Sequence, residues 1–262
     1  MATISCVIPT IGREQYLVKA IESVLAQSTR PHEIIIVHNG QEKLSLPEQF
    51  DSHVKIFNIV PKAGPAQARN FGASIAVGTH IAFLDDDDLW HKNYLGNATK
   101  AIDLGAECVI SRLDQLIDGQ IKKCKNAHNK LTREHILIYN PGITGTNLVI
   151  SKESFFKLGG FDPKLPPSED KSLILEALKH DLNIHCLPEN QAIIRTYSGN
   201  RETNSAKMAE GVSQFMRKYK HMMTPRQRYG NRMKIYRHRY DAGDKYSLIP
   251  FSLYYLITRI YK

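Results

Sequence analysis

The chain has 262 residues, 42% hydrophobic and 23% charged, an ordinary globular composition with room for one large domain or one domain plus an appendage. Its four cysteines, Cys6, Cys108, Cys124 and Cys186, lie far apart with no C-x-x-C spacing, which argues against a disulfide frame or a zinc site and for a reducing compartment. The net charge of +9 is uneven: from Arg195 onward there are 15 Lys/Arg against 4 Asp/Glu, while the first 194 residues hold 20 against 22. A near-neutral body therefore carries a basic tail, and nine of the 12 tyrosines fall in that tail.

The start of the chain, Ile4 to Ile8, reads directly as a buried strand stopped by Pro9, with no basic n-region or cleavage site of a signal peptide. Leu17, Ile21, Val24 and Leu25 recur at helical spacing, predicting an amphipathic helix that ends near Gln27. Glu33 to Val37 is a second strand and Val54 to Phe57 a third. Gly64 and Pro65 open a helix carrying Ala68, Phe71, Ile75 and Ala76, which Gly78 closes. Strands apolar throughout and separated by helices predict an α/β fold, a mostly parallel sheet flanked by helices on both faces.

The fourth strand, Ile81 to Leu84, runs into four consecutive carboxylates, Asp85 to Asp88. Adjacent carboxylates repel, so a compact fold keeps them together only with positive compensation. A hard divalent cation, Mn²⁺ or Mg²⁺, is the natural partner, because it takes oxygen ligands and is often shared with substrate phosphates. The plainer reading is an acidic loop capping the next helix, and Asp88 in particular is placed in the first turn of a helix after Leu89. Thr10, Asn39 and Asp85 to Asp88 all fall at the carboxyl ends of predicted strands, where such sheets bind ligands. Neither a G-x-G-x-x-G after the first strand nor a G-x-x-x-x-G-K-[ST] occurs, so the dinucleotide and P-loop readings lose their phosphate cradles.

Several segments in order carry a resemblance: Ser5 to Thr10, Ser23 to Ser28, Glu33 to Val37, Gly64 to Gly72, Phe83 to Trp90, Gly159 to Asp162 and Ser168 to Asp170. Over about residues 3 to 185 the chain resembles the family 2 glycosyltransferases of the non-processive, bacterial surface-polysaccharide type, whose catalytic domain has the GT-A fold. The resemblance implies that D-x-D carboxylates hold a divalent ion against the diphosphate of a nucleotide-sugar donor. Asp87 matches the main metal ligand, with Asp85, and Asp85 or Asp86 falls near the donor ribose. Arg69, Thr10 and Arg13 match positions near the nucleotide. The family usually has Val-Asp-Asp-Gly-Ser after the second strand, and this chain has Val37-His38-Asn39-Gly40-Gln41, so Asn39 takes the base-contacting place with its donor and acceptor. His38 reads as structural.

In the second half, Gly142 to Asn147 precede the apolar run Leu148 to Ile150, and small residues there, Gly145 and Thr146 among them, would let a sugar approach the backbone. Ser168 is a good N-cap for the helix of Leu173 to Leu178, placing Glu169 and Asp170 in its first turn. The positive end of that helix should keep a carboxylate ionised, as a general base must be. The resemblance assigns Asp170 as base of an inverting transfer, with Glu169 capping the helix on the acceptor side. A retaining transfer stays open.

Gln191-Ala192-Ile193-Ile194-Arg195-Thr196 lacks the tryptophan of the processive Q-x-x-R-W signature, which speaks against polymer synthesis. In the following loop, Arg201 could meet donor phosphates and Tyr197 could pack on the nucleotide. Met208, Val212, Phe215, Met216 and Tyr219 predict a core-packing helix, and Leu248 to Tyr261 an apolar, aromatic-rich run too short to span a bilayer. A basic stretch before such a helix reads as an interfacial anchor on an anionic leaflet, or as a helix packed on the catalytic domain. Nucleic acid is not expected as a partner.

Residues 1–200 are thus read as the catalytic domain, with 1–110 its nucleotide-binding half and 111–200 its acceptor half, and 201–262 as a basic, Tyr-rich helical extension. The expected activity is metal-dependent transfer of one sugar from a nucleotide donor, UDP-sugar favoured, to a hydroxyl of a saccharide or lipid-linked saccharide. The expected place is the cytoplasm, peripheral on the inner face of its membrane. A nucleotidyltransferase of similar fold and an inactive saccharide-binding module are the alternatives.

Overall fold

The computed structural model describes residues 2–124, 131–196 and 205–260. Strands β1 (Ile4–Thr10), β2 (Glu33–His38), β3 (Lys55–Asn58) and β4 (His80–Phe83) pair in parallel in the order β3-β2-β1-β4. Helices α1 (Glu14–Leu25) and α2 (Pro65–Ile75) cross between them. Each central strand is buried along its whole length, and alternate residues serve two cores. Val7 and Phe83 face one with Phe155 and Phe161, whereas Cys6 and Ile8 face the other with Leu17, Trp90 and Tyr94.

Beyond β4 the pairing changes direction. β8 (Leu148–Ser151) runs antiparallel between β4 and β6 (Cys108–Ile117), and β9 (Ile184–Thr196) returns parallel to β6. A two-residue strand, β5 (Leu89–Trp90), pairs on β9, and β7 (Gln120–Lys123) on β6. Because β4 and β8 are antiparallel, with Phe83 opposite Leu148, the residues leaving β4 and those entering β8 meet at one edge. Helices α3 (Tyr94–Asp103), α4 (Arg133–Ile136), α5 (Lys152–Lys157) and α6 (Glu169–Lys179) complete the body.

The basic extension is three helices: α7 (Ser205–Tyr219), α8 (Pro225–Asp241) and α9 (Leu248–Ile260). α7 belongs to the body's core, with Phe215 and Tyr219 fully buried and the Tyr219 hydroxyl bonded to Ser172 and Glu176 of α6. It also runs close to the turn before α6: a Cβ built on Gly211 would lie 2.3 Å from Pro167 Cδ. α8 starts with a capping box of Thr224 and Gln227 and ties to the 137–138 segment through Asn231, whose amide donates to the Leu137 carbonyl at 2.8 Å. α9 docks on α8 by stacking, with Tyr254 against Tyr229 and Tyr236, and Arg237 over Phe251. No helix among the described residues is long and apolar enough to cross a membrane.

Candidate active site

The acidic run leaves β4 and divides into two inward and two outward carboxylates. Asp85 and Asp87 reach solvent, with 29% and 18% of their side chains exposed. Asp86 is buried at the end of β1, where it accepts from Thr10 Oγ1 at 2.5 Å and pairs with the Arg13 guanidinium. Burial pushes its carboxyl up to about 6, against the pull of Arg13 and Thr10. Arg13 also donates to Asp87 Oδ2 at 2.8 Å, so one cation holds two of the four acids.

Asp88 does not cap a helix. Strand β5 follows it and α3 starts only at Tyr94, because Leu89 and Trp90 pair with Ile193 and Ala192. The buried Asp88 carboxylate accepts from Thr146 Oγ1 at 2.5 Å and from the Arg195 backbone N–H at 2.8 Å. Burial, and then the charges of Asp85 and Asp87, push it well above the usual carboxylate range.

Arg69, on α2, is the hinge of the site. It is 3% exposed, and its guanidinium pairs with Asp85, donates to Glu169 Oε1 at 3.1 Å, and lies 5.2 Å from the centroid of Phe161. Burial alone would lower its pKa, but Asp85 and Glu169 outweigh that and hold the charge more firmly than usual. Arg69 Nε and Glu169 Oε2 are buried without a partner. Glu169 therefore pairs with Arg69 instead of capping α6.

Gly145 gives Arg69 its space. A Cβ there would fall 2.5, 2.6 and 2.7 Å from Nη2, Cζ and Nε of the guanidinium. The close approach expected of a sugar to this backbone is made by Arg69. Thr146, expected on the acceptor side, is fully buried and fastens the acidic run, its hydroxyl on Asp88 and its carbonyl accepting from Trp90 Nε1 at 2.8 Å.

Asp170 is the second residue of α6, after Glu169 and the N-cap residue Ser168, whose side chain makes no cap bond; Asp170 Oδ1 accepts from the Lys171 N–H at 2.6 Å. Burial works against the ionisation expected from the helix end. The residue is half-buried by surface, yet its carboxyl is closely surrounded by protein. Burial, then Glu169, push it up to about 8 against the Lys171 N–H and Arg69, with Asp85 adding to the push.

Asn39 is buried at the end of β2. In the orientation that satisfies both ends of its amide, it donates to the Thr10 carbonyl at 2.7 Å and accepts from Gly64 N–H at 3.1 Å. That amide joins β1 to the start of α2 and uses one N–H and one oxygen lone pair in doing so. His38 Nδ1 bonds Asn58 Oδ1 at 3.0 Å, as a structural residue would. Arg201, with Tyr197, lies outside the described residues. Sequence reasoning passed over Arg195, which caps Asp88 by its N–H, donates from Nε to the Asp87 carbonyl at 3.0 Å, and stacks 4.9 Å from the Tyr16 ring centroid.

Among the described residues no three or more His, Cys, Asp or Glu side chains cluster into a metal shell. Two outward carboxylates on one strand end nonetheless suit Mn²⁺ or Mg²⁺ that takes its remaining oxygens from a diphosphate and water. Each of the two already faces an arginine, so a cation would compete with Arg13 and Arg69 for Asp87 and Asp85.

A mixed sheet whose parallel half ends in an acidic loop, backed by helices on both faces, defines the nucleotide-sugar transferase fold called GT-A. The crystal structure of S. aureus TarS 1–349 in complex with UDP-GlcNAc aligns with a TM-score of 0.66 over 91% of this chain and 72% of that one, at 16% identity. The glycosyl transferase family 2 profile matches residues 5–158, and the chain belongs to that family. It is 26% identical over 227 residues to the putative colanic acid biosynthesis glycosyl transferase WcaA of Escherichia coli, covering 83% of this chain and 81% of that one. It is 25% identical over 211 residues to the putative teichuronic acid biosynthesis glycosyltransferase TuaG of Bacillus subtilis, covering 76% and 82%. A shorter match, 39% over 94 residues, links 34% of this chain to 15% of an uncharacterized glycosyltransferase of Rickettsia conorii.

Proposed function

We propose that this chain is a metal-dependent, inverting glycosyltransferase that moves one sugar from a UDP-sugar to a hydroxyl of a saccharide acceptor presented at a membrane. One observation carries the reading: outward Asp85 is linked through the buried Arg69 to Glu169 at the α6 end that holds Asp170, and Asp87, two residues further on, is held by Arg13. Asp87 and Asp85 would hold Mn²⁺ or Mg²⁺, which neutralises the charge that grows on a departing nucleoside diphosphate. Arg13 would turn from Asp87 to the phosphates, Asp85 would face the ribose, and Asp170 would take the acceptor's proton. The UDP-GlcNAc complex of TarS favours a uridine donor. Family membership and the intact Asp85, Asp87 and Asp170 set aside the nucleotidyltransferase and inactive-module alternatives.

The membrane part rests on α9. Opposite its docked face, Ile249, Leu253 and Leu256 form an outward stripe at helical spacing, 76%, 55% and 59% exposed, on a tail rich in Lys and Arg. The test is sugar release from a panel of UDP-sugars with Mn²⁺. Asp87→Ala should abolish turnover and metal-dependent UDP binding while leaving the melting temperature near wild type; retained metal-dependent binding would overturn the metal assignment.

A further inference from the structure

The extension contains a cleft that sugar transfer leaves unused. It has a volume of about 200 Å³ and opens between the 138–139 segment, α8 and α9. Three cations line it, Arg226, Lys234 and Arg259, with the two phenols Tyr139 and Tyr255, and no Asp or Glu is among the lining residues. Lys234 donates to the Ile138 carbonyl, and its ammonium lies 4.5 Å from the centroid of Tyr139. Arg259 lies 5.1 Å from the Tyr255 ring centroid and donates to its hydroxyl at 2.6 Å. The one acid in α8, Asp241, is already held by Arg237.

Of the three, Lys234 lies where charge is disfavoured, while Arg226 and Arg259 are exposed at the mouth. Burial pulls Lys234 down to about 8. Behind it, Lys171 of α6 is 7% exposed, sits 3.7 Å from the centroid of Phe215, and feels the charge of Lys234 as a repulsion second only to its own burial. A buried ammonium beside a second one keeps its charge more readily when an anion joins it. Two guanidinium forks around an ammonium offer more donors than a carboxylate can accept, and they match the three or four oxygens of a phosphate. α9 contributes Tyr255, Thr258 and Arg259 to the cleft, and the same helix carries the outward apolar stripe of Ile249, Leu253 and Leu256.

We propose that the cleft between α8, α9 and the 138–139 segment is a binding site for a phosphate ester, held by Lys234 within and by Arg226 and Arg259 at the rim. It rests on the described cations and not on the sugar-transfer reading.

The test uses the full chain. Co-sedimentation is measured with phosphatidylglycerol-containing vesicles and with neutral phosphatidylcholine vesicles, and calorimetry with glycerol phosphate. Binding of UDP with Mn²⁺ is followed in the same samples, so that failure of the donor site is read separately. Arg226→Gln with Arg259→Gln should weaken phosphate-dependent binding by ~10-fold or more, the size of one charge-assisted hydrogen bond. Lys234→Met should do the same. A control, Lys207→Gln with Lys220→Gln, removes equal charge elsewhere and should change little. The Arg pair is exposed enough to be replaced without unfolding, which covers the case in which Lys234→Met fails to fold. Binding of glycerol phosphate without vesicle binding keeps the site and assigns it to a soluble ester. Equal loss in the control pair, undiminished binding in both cleft variants, or no binding of either probe overturns the proposal.

Discussion

Gly145→Ala is the smallest change that should disable this site. The added carbon would press on the Arg69 guanidinium, with its nearest contact at 2.5 Å, well inside van der Waals distance. Gly145 has no positive φ, so backbone strain contributes nothing and the whole effect is steric. Arg69 has little room to yield, being 3% exposed and pinned between Asp85, Glu169 and Phe161. If it shifts and keeps both pairs, the loss is that of overpacking, about 1–3 kcal/mol. If it lets go of Glu169, a buried carboxylate is left unpaired and the loss rises to about 3–5 kcal/mol. For a chain of this size that range corresponds to a fall in melting temperature of roughly 2–4 °C per kcal/mol. Urea unfolding of Gly145→Ala, Arg69→Gln and the double variant separates the terms. In the Arg69→Gln background the shorter side chain removes the clash, so the alanine should lose most of its effect, a non-additivity of about 1 kcal/mol or more. Additive losses, or a Gly145→Ala protein as stable and active as wild type, would refute the reasoning.

Asp170→Asn should end sugar transfer while leaving UDP binding intact, and it should raise the melting temperature at pH 8. The sign follows from a carboxyl moved up to about 8 in the fold from 3.8: as pH rises between those values the unfolded chain sheds a proton the folded chain resists losing, so the wild-type residue destabilises most at the alkaline end. Turnover by the wild type should correspondingly fall as pH drops through that raised value, since the base works only ionised; a flat profile from pH 6 to 9 would count against Asp170. Leu253→Glu with Leu256→Glu should release the protein from anionic vesicles without lowering its melting temperature, because both side chains face away from α8; unfolding would show that α9 is instead a packed part of the body.

The first half of the fold was legible because period and punctuation agreed there. Gly64-Pro65 and the apolar strand runs place β1, β2, α2 and β4 within a residue or two, although Pro9 does not stop β1, which stays paired with β2 through Thr10. The second half was not, since nothing local in Leu148 to Ile150 says that this strand runs antiparallel between β4 and β6. The same gap explains the misplacement of Asp88: a two-residue strand such as β5 has no period, and its partner on β9 is about a hundred residues away. Single-residue chemistry marked Asp85 to Asp88 and Asp170 well enough. What it could not supply was which oxygens are already taken, and that is decided by Thr10, Thr146 and Arg69 across the sheet.

The antiparallel step from β4 to β8 has a consequence for how such chains can diverge. It sets Thr146 against Asp88, and Trp90 back against Thr146, so that residues about sixty positions apart act as one unit. An apolar residue at 146 would strand a buried carboxylate, and an apolar residue at 88 would leave a hydroxyl and the Arg195 N–H without an acceptor. Neither position can drift alone. Among related sequences the identities at 88 and 146 should therefore change together, while Asp85, which meets that hydroxyl through its backbone N–H, is not tied to them by its side chain.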